Sequence, residues 1–130
     1  MAFSTKNLSL PLILFMLLAW GDCTVVRISN DIGQGTNLMV HCKSGDDDLG
    51  KHVISYGGEW AFTFLNNWRP WGSTTLFYCS FSWGREFRRF DIYNATRDFD
   101  CFECKWSITP DGPCTDMFVP DVYRFCYPWD

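Results

Sequence analysis

The chain has 130 residues, 47% of them hydrophobic and 18% aromatic, with a formal charge of −4 from 11 basic and 15 acidic side chains. Aromatic content on that scale excludes a disordered chain, and the acidic balance argues against a general nucleic-acid binder or a cationic membrane-lytic peptide, which both need a basic surface. Seven cysteines in so short a chain exclude an ordinary reduced cytosolic protein.

The amino terminus reads as an address. Lys6 supplies a positive start, and Leu8 to Trp20 is almost wholly apolar. That run fits the core of a signal peptide and is shorter than the roughly 20 residues a membrane span needs. Residues 1–23 are therefore predicted to be a signal peptide, cut after Gly21 or after Cys23. The second cut leaves six cysteines, Cys42, Cys79, Cys101, Cys104, Cys114 and Cys126, an even number that suits an oxidised secreted domain and is preferred. The first leaves Cys23 as a seventh thiol. No second apolar run of that length follows, so no membrane insertion is expected after cleavage. Residues 24–130 are expected to form one extracellular domain, a monomer.

That domain reads as short alternating runs bounded by Gly, Pro, Asn and Asp, the signal for strands. Val25 to Asn30 is followed by a turn cluster from Asp31 to Asn37, and Leu38 to Cys42 by an acidic turn from Ser44 to Gly50. His52 to Ser55 and Trp60 to Phe64 come next, then a loop from Asn66 to Ser73. Thr74 to Trp83 is the longest strand candidate, and Phe90 to Tyr93, Cys104 to Thr109 and Val122 to Tyr127 complete the set. No stretch shows a sustained helical period with a cap and a stop. The expectation is an all-β fold, a small disulfide-stapled β-sandwich of two antiparallel sheets with seven to eight strands. Strand parity places Val26, Ile28, Val40, Cys42, Trp60, Phe62, Phe64, Phe77, Cys79, Phe81, Cys104, Trp106 and Ile108 inside.

The residues that carry chemistry are few. Cys101-Phe102-Glu103-Cys104 has redox or zinc spacing, but a zinc site wants a second such pair or nearby histidines, and a thioredoxin-like dithiol opens a helix. A strand follows here instead, so both cysteines are expected to be bridged elsewhere. Parity favours Cys42–Cys104 and Cys79–Cys101 across the core, with Cys114–Cys126 pinning the tail. His41 and Cys42 point to opposite faces of a strand and cannot work as base and nucleophile. A ribonuclease-like pair of His41 and His52 needs both at one concave site. No acid, base and nucleophile constellation is evident, so no enzyme and no cofactor is expected; a nuclease or a dithiol oxidoreductase is the lesser reading. Asp46, Asp47 and Asp48 lack the ligand spacing of a calcium loop and read as a solvated turn. Asn94-Ala95-Thr96 is a glycosylation sequon. Arg85, Arg88 and Arg89 form the one basic cluster. Trp68 and Trp71 lie in a loop, where amphipathic rings are common contact residues, and offer an alternative reading as a carbohydrate-binding or defence module.

Several motifs taken together resemble the plant self-incompatibility protein family. Val26, Ile28 and Asn30 form its opening aliphatic-x-Ile-x-Asn strand, followed by His41-Cys42-Lys43-Ser44 and Asp47-Asp48-Leu49-Gly50. Trp60, Phe62 and Phe64 are its aromatic-x-Phe-x-Phe strand, and Thr75, Leu76, Phe77, Cys79, Phe81 and Trp83 the strand after it. Phe90 to Tyr93 with Arg97-Asp98, then Cys101, Cys104, Trp106 and Ile108 with Asp111-Gly112, close the match. Cys114, Cys126 and the tail lie outside it. The resemblance implies a secreted plant protein with a two-sheet β-sandwich. It also implies a signalling ligand recognised by a cell-surface transmembrane receptor, in the best-known members during rejection of self pollen. Loops on a rigid sandwich would then carry recognition. The segments expected to do so are Ser44 to Gly50, Asn66 to Ser73 and Gly84 to Arg89, with Asp46, Asp47, Asp48, Trp68, Trp71, Arg85, Arg88 and Arg89 as contact residues.

Overall fold

The computed structural model describes residues 2–3, 23–65, 75–117 and 123–129. Among the described residues, ten strands form two sheets. They are β1 (Ala2–Phe3), β2 (Cys23–Asn30), β3 (Leu38–Lys43), β4 (Asp48–Ile54), β5 (Glu59–Leu65), β6 (Leu76–Trp83), β7 (Glu86–Asn94), β8 (Glu103–Thr109), β9 (Gly112–Met117) and β10 (Tyr123–Cys126). One sheet has the order β1-β5-β2-β8-β9-β10, and the other β4-β3-β6-β7. A four-residue helix, α1 (Ala95–Asp98), bridges them after β7. The predicted apolar segment from Leu8 to Trp20 and the proposed cleavage point after Gly21 lie outside the described residues, whereas the one after Cys23 falls at the start of β2. Among the described residues, no helix is long and apolar enough to cross a membrane.

The all-β sandwich is what the alternation dictates. Strand β2 alternates strictly between half-exposed and buried residues, and β6 and β8 follow the same rule. Every residue assigned to the interior by parity is buried except Trp60, which is half-buried at the rim. Rings join the two sheets: Phe62 and Phe64 of β5 meet Phe77 of β6 at 5.0 and 4.7 Å, and Phe90 of β7 meets Trp106 of β8 at 5.1 Å. Large rings fill a short domain's core with few side chains, and such pairs add about 0.5–1.5 kcal/mol each beyond burial.

Four expectations need correction. Strands β2 and β8 run parallel, so the larger sheet is mixed. A strand missed by alternation, β9, carries the chain back along β8, and the tail strand β10 pairs with it. Its sequence, GPCTDM, has no alternation because Pro113 and Cys114 are both buried. The predicted cross-core pairs Cys42–Cys104 and Cys79–Cys101 are not formed. The disulfides are Cys42–Cys79, Cys101–Cys104 and Cys114–Cys126, the last as expected. Parity names a residue's face but not its neighbour. Cys42 and Cys79 are direct partners on adjacent strands, 4.0 Å apart at Cα, whereas facing sheets lie about 10 Å apart. Finally, the predicted loop from Gly84 to Arg89 is mostly strand: only the Gly84-Arg85 turn separates β6 from β7.

Two polar devices shape the end of the sandwich where β2 finishes. Asn30 is fully buried; its Nδ2 donates to the carbonyls of Thr36 and Ile54, and its Oδ1 accepts from the amide of Ile32. Its own backbone bonds Gly57 and Gly58. One side chain thus ties two turns to the sheet. Beside it the tail crosses the sandwich edge, with Trp129 against Phe81 and Trp83 and Tyr127 against Phe90 and Trp106. Gly112, at φ 151°, admits this crossing, because a Cβ there would collide with the carbonyl oxygen of Tyr127.

Candidate functional site

The opposite end gathers most of the residues singled out from the sequence. Lys43 pairs with Tyr78, Leu76 with Asn94, Cys23 with Leu65, and Val25 with Glu103. The β3–β4 turn, α1 and the Cys101–Cys104 bend therefore share one end. Trp68 and Trp71 lie outside the described residues, although Leu65 and Leu76, which flank their segment, sit here.

In the β3–β4 turn, the Ser44 hydroxyl accepts from the amides of Asp46 and Asp47, and the Ser44 amide donates to the Asp47 carbonyl at 2.8 Å. Asp46 and Asp47 hold the tip. Asp48 is not in the turn but begins β4. A bulge at Gly50, whose φ is 78°, brings Asp48 opposite Lys43 and beside His41. Its Oδ1 accepts from the Gly50 amide at 2.9 Å and lies 2.6 Å from His41 Nε2. The Gly50 amide and then His41 hold this carboxyl below its ordinary range. His52 points the other way, stacked on Trp60 at 4.2 Å with Nε2 on the Leu49 carbonyl. The two histidines thus occupy opposite faces of the small sheet and form no acid–base pair. Among the described residues, no three His, Cys, Asp or Glu side chains are grouped to hold a metal.

Helix α1 and the bend after it lie at this end. Asn94 caps α1, its Oδ1 accepting from the Thr96 amide at 3.0 Å. Arg97 grips Asp98 and donates to the Asp91 carbonyl, while its guanidinium lies 5.0–5.5 Å from the rings of Phe90, Trp106 and Tyr127. That cation over three rings anchors the segment from below. Above it, Phe99 and Phe102 are 70% and 56% exposed on either side of the Cys101–Cys104 bond. Both cysteines are bonded to each other rather than bridged elsewhere, so the bend carries no free dithiol. The thiol of Cys23, at the start of β2, is pushed up by burial.

The basic residues do not converge on this end. Arg85 tips the β6–β7 turn at the Asn30 end, Arg88 pairs with Glu86, and Arg89 lies mid-strand. Sequence reasoning missed Phe99 and Phe102 as surface groups. The available signal was their position in a Cys-flanked segment with no strand alternation.

A family model described as plant self-incompatibility protein S1 matches residues 25–129. The chain belongs to the plant self-incompatibility protein family. S-protein homolog 5 of Arabidopsis thaliana is 46% identical over 108 residues, covering 82% of this chain and 77% of its own. S-protein homolog 3 of the same plant is 40% identical over 116 residues, covering 85% and 75%. S-protein homolog 18 is 40% identical over 136 residues, covering 96% and 94%. A solved structure described as that of SPH (self-incompatibility protein homologue) proteins, "a widespread family of small, highly stable, secreted proteins from plants", superimposes with a TM-score of 0.59 at 18% identity. It covers 83% of this chain and 95% of its own, so the fold is shared. The match reaches through Cys114, Cys126 and the tail, which the sequence motifs left outside.

Proposed function

We propose that this chain is a secreted ligand that a cell-surface receptor recognises through the end of the sandwich bearing the acidic β3–β4 turn and the Cys101–Cys104 bend. The observation that carries the reading is the pair of exposed rings, Phe99 and Phe102, held on a disulfide-braced and Arg97-anchored segment. Exposed aromatics on a pre-ordered loop are efficient contact groups, because little freedom is lost when they bind. Asp46 and Asp47 give the same end an acidic rim suited to a basic receptor surface. Residues 1–23 act as the export signal, and the family's description of a solved member as secreted supports an extracellular site of action. Among the described residues His41 and His52 face apart and do not form an acid–base pair.

A glycan on Asn94 at the edge of this end is part of the same proposal: the residue's Oδ1 serves the helix cap while no described group bonds its Nδ2. Asn94→Asp would then lose the glycan and keep the cap, whereas Asn94→Gln loses both and costs about 1 kcal/mol; mass spectrometry and thermal melts of the secreted variants separate the two effects.

The test of the receptor reading is saturable binding of labelled, oxidised mature protein to intact plant cells. Replacing Phe99 and Phe102 by Ser should weaken binding by about tenfold or more with stability held within about 0.5 kcal/mol. Undiminished binding by that variant refutes this end as the contact surface.

A further inference from the structure

The outer face of the four-stranded sheet is unlike the outer face of its partner. Register sets Val53, Met39, Ser82 and Phe87 in one row across β4, β3, β6 and β7. The three apolar members are all exposed, Val53 by 67% and Phe87 by 54%. Two residues further along each strand lies a second row: Lys51, His41, Ser80 and Arg89. Among the described residues Lys51 and Arg89 have no ion-pair partner; the Arg89 guanidinium lies 5.5 Å from the centre of the Phe87 ring. The next row holds Asp48, Lys43, Tyr78 and Asp91; Asp48 is engaged by His41 and Gly50, and Asp91 lies two residues beyond Arg89 on the same strand. On a chain of net charge −4, this face offers an apolar strip with a cationic flank.

We propose that this face is a second docking surface, which takes an acidic amphipathic segment of a partner protein. Apolar side chains of that segment would sit on Val53, Met39 and Phe87, and its carboxylates would meet Lys51 and Arg89. Apolar contact supplies affinity and the opposed charges set orientation and partner choice. A second copy packed about a two-fold axis across the strip would bring these cations against their own kind. An anionic membrane fits poorly as well, since the three described lysines and arginines without an ion pair on this face, Lys43, Lys51 and Arg89, fall short of the about 4–8 typical of a polybasic lipid site. The surface is separate from Phe99 and Phe102 and does not depend on their role.

The experiment is a titration of isotope-labelled, oxidised mature protein, followed by amide NMR shifts, with two synthetic peptides of one apolar pattern. One carries Glu and the other Lys at the polar positions. The Glu peptide is expected to shift Met39, Lys51, Val53, Phe87 and Arg89 and to leave Phe99 and Phe102 unmoved. Lys51→Glu combined with Arg89→Glu should weaken it by about tenfold or more, whereas Phe102→Ser should leave it unchanged. Equal binding of the two peptides, or no response of this face to the Glu peptide, overturns the proposal. So does self-association in sedimentation that Phe87→Ser abolishes, or capture by phosphatidylserine vesicles without any response to peptide.

Discussion

The two ends of the sandwich use their polar groups in opposite ways. At the Asn30 end, one buried amide side chain satisfies three backbone groups, and the aromatic tail closes over the edge. At the Cys101 end, the turn acids and two phenylalanine rings face solvent, and the hydrogen bonds of Ser44 and Asn94 only hold their own local turns. Buried polar groups are costly unless fully bonded, so the Asn30 end has little freedom to vary. Solvated turns carry no such constraint. The difference separates a bonded, constrained end from the end proposed here for recognition.

The contrast can be broken by mutation, starting with the bond between the two central strands of the smaller sheet. Replacing Cys42 and Cys79 by Ser removes a cross-strand link that spans 37 residues of sequence, and should cost about 4 kcal/mol in chemical denaturation. Asn30→Ala strands the carbonyls of Thr36 and Ile54 and the Ile32 amide, and is expected to cost about 3 kcal/mol with cell binding retained by the folded fraction. Replacing Cys101 and Cys104 by Ser should cost only about 2 kcal/mol, because the bond closes so short a loop. That variant should nevertheless lose cell binding, which Asn30→Ala does not. If the two variants lost stability and binding in the same proportion, the division between the ends would fail. The smallest effect concerns Asp48. Its carboxyl titrates below its usual 3.8 in the folded chain, so the charged form adds stability above that pH and the contribution vanishes as pH falls through the lowered value. Asp48→Asn should therefore be less stable than the parent at neutral pH and indistinguishable from it in strong acid, as read from melts across pH.

Much of the architecture was legible because period-two burial is written directly into β2, β6 and β8. Every residue that parity named is in the core except Trp60, which sits at the rim and stacks on His52, whereas Leu38, Ile54, Phe90, Ile92 and Tyr93 are core residues it did not name. The disulfides were less legible. Cys42 and Cys79 needed knowledge of which strands adjoin, and that is a long-range property. Strand β9 was hidden because its burial does not alternate, and the β2–β8 pairing because nothing local distinguishes a parallel neighbour. Of the candidate site, Asp46 and Asp47 were found at an exposed turn. Arg88 and Arg89 were misplaced into a loop because a two-residue turn at Gly84-Arg85 suffices to reverse the chain. Phe99 and Phe102 were overlooked because an aromatic residue in a compact domain reads first as core.

The parallel contact between β2 and β8 has a consequence for biosynthesis. Strand β2 lies centrally in its sheet, yet one of its edges stays bare until Glu103–Thr109 has entered the same compartment. The smaller sheet, by contrast, assembles from hairpins that emerge together. A nascent chain crossing the secretory membrane would therefore hold an open, aggregation-prone ribbon late into its delivery, so folding helpers in the lumen matter more for this edge than for any other part of the molecule.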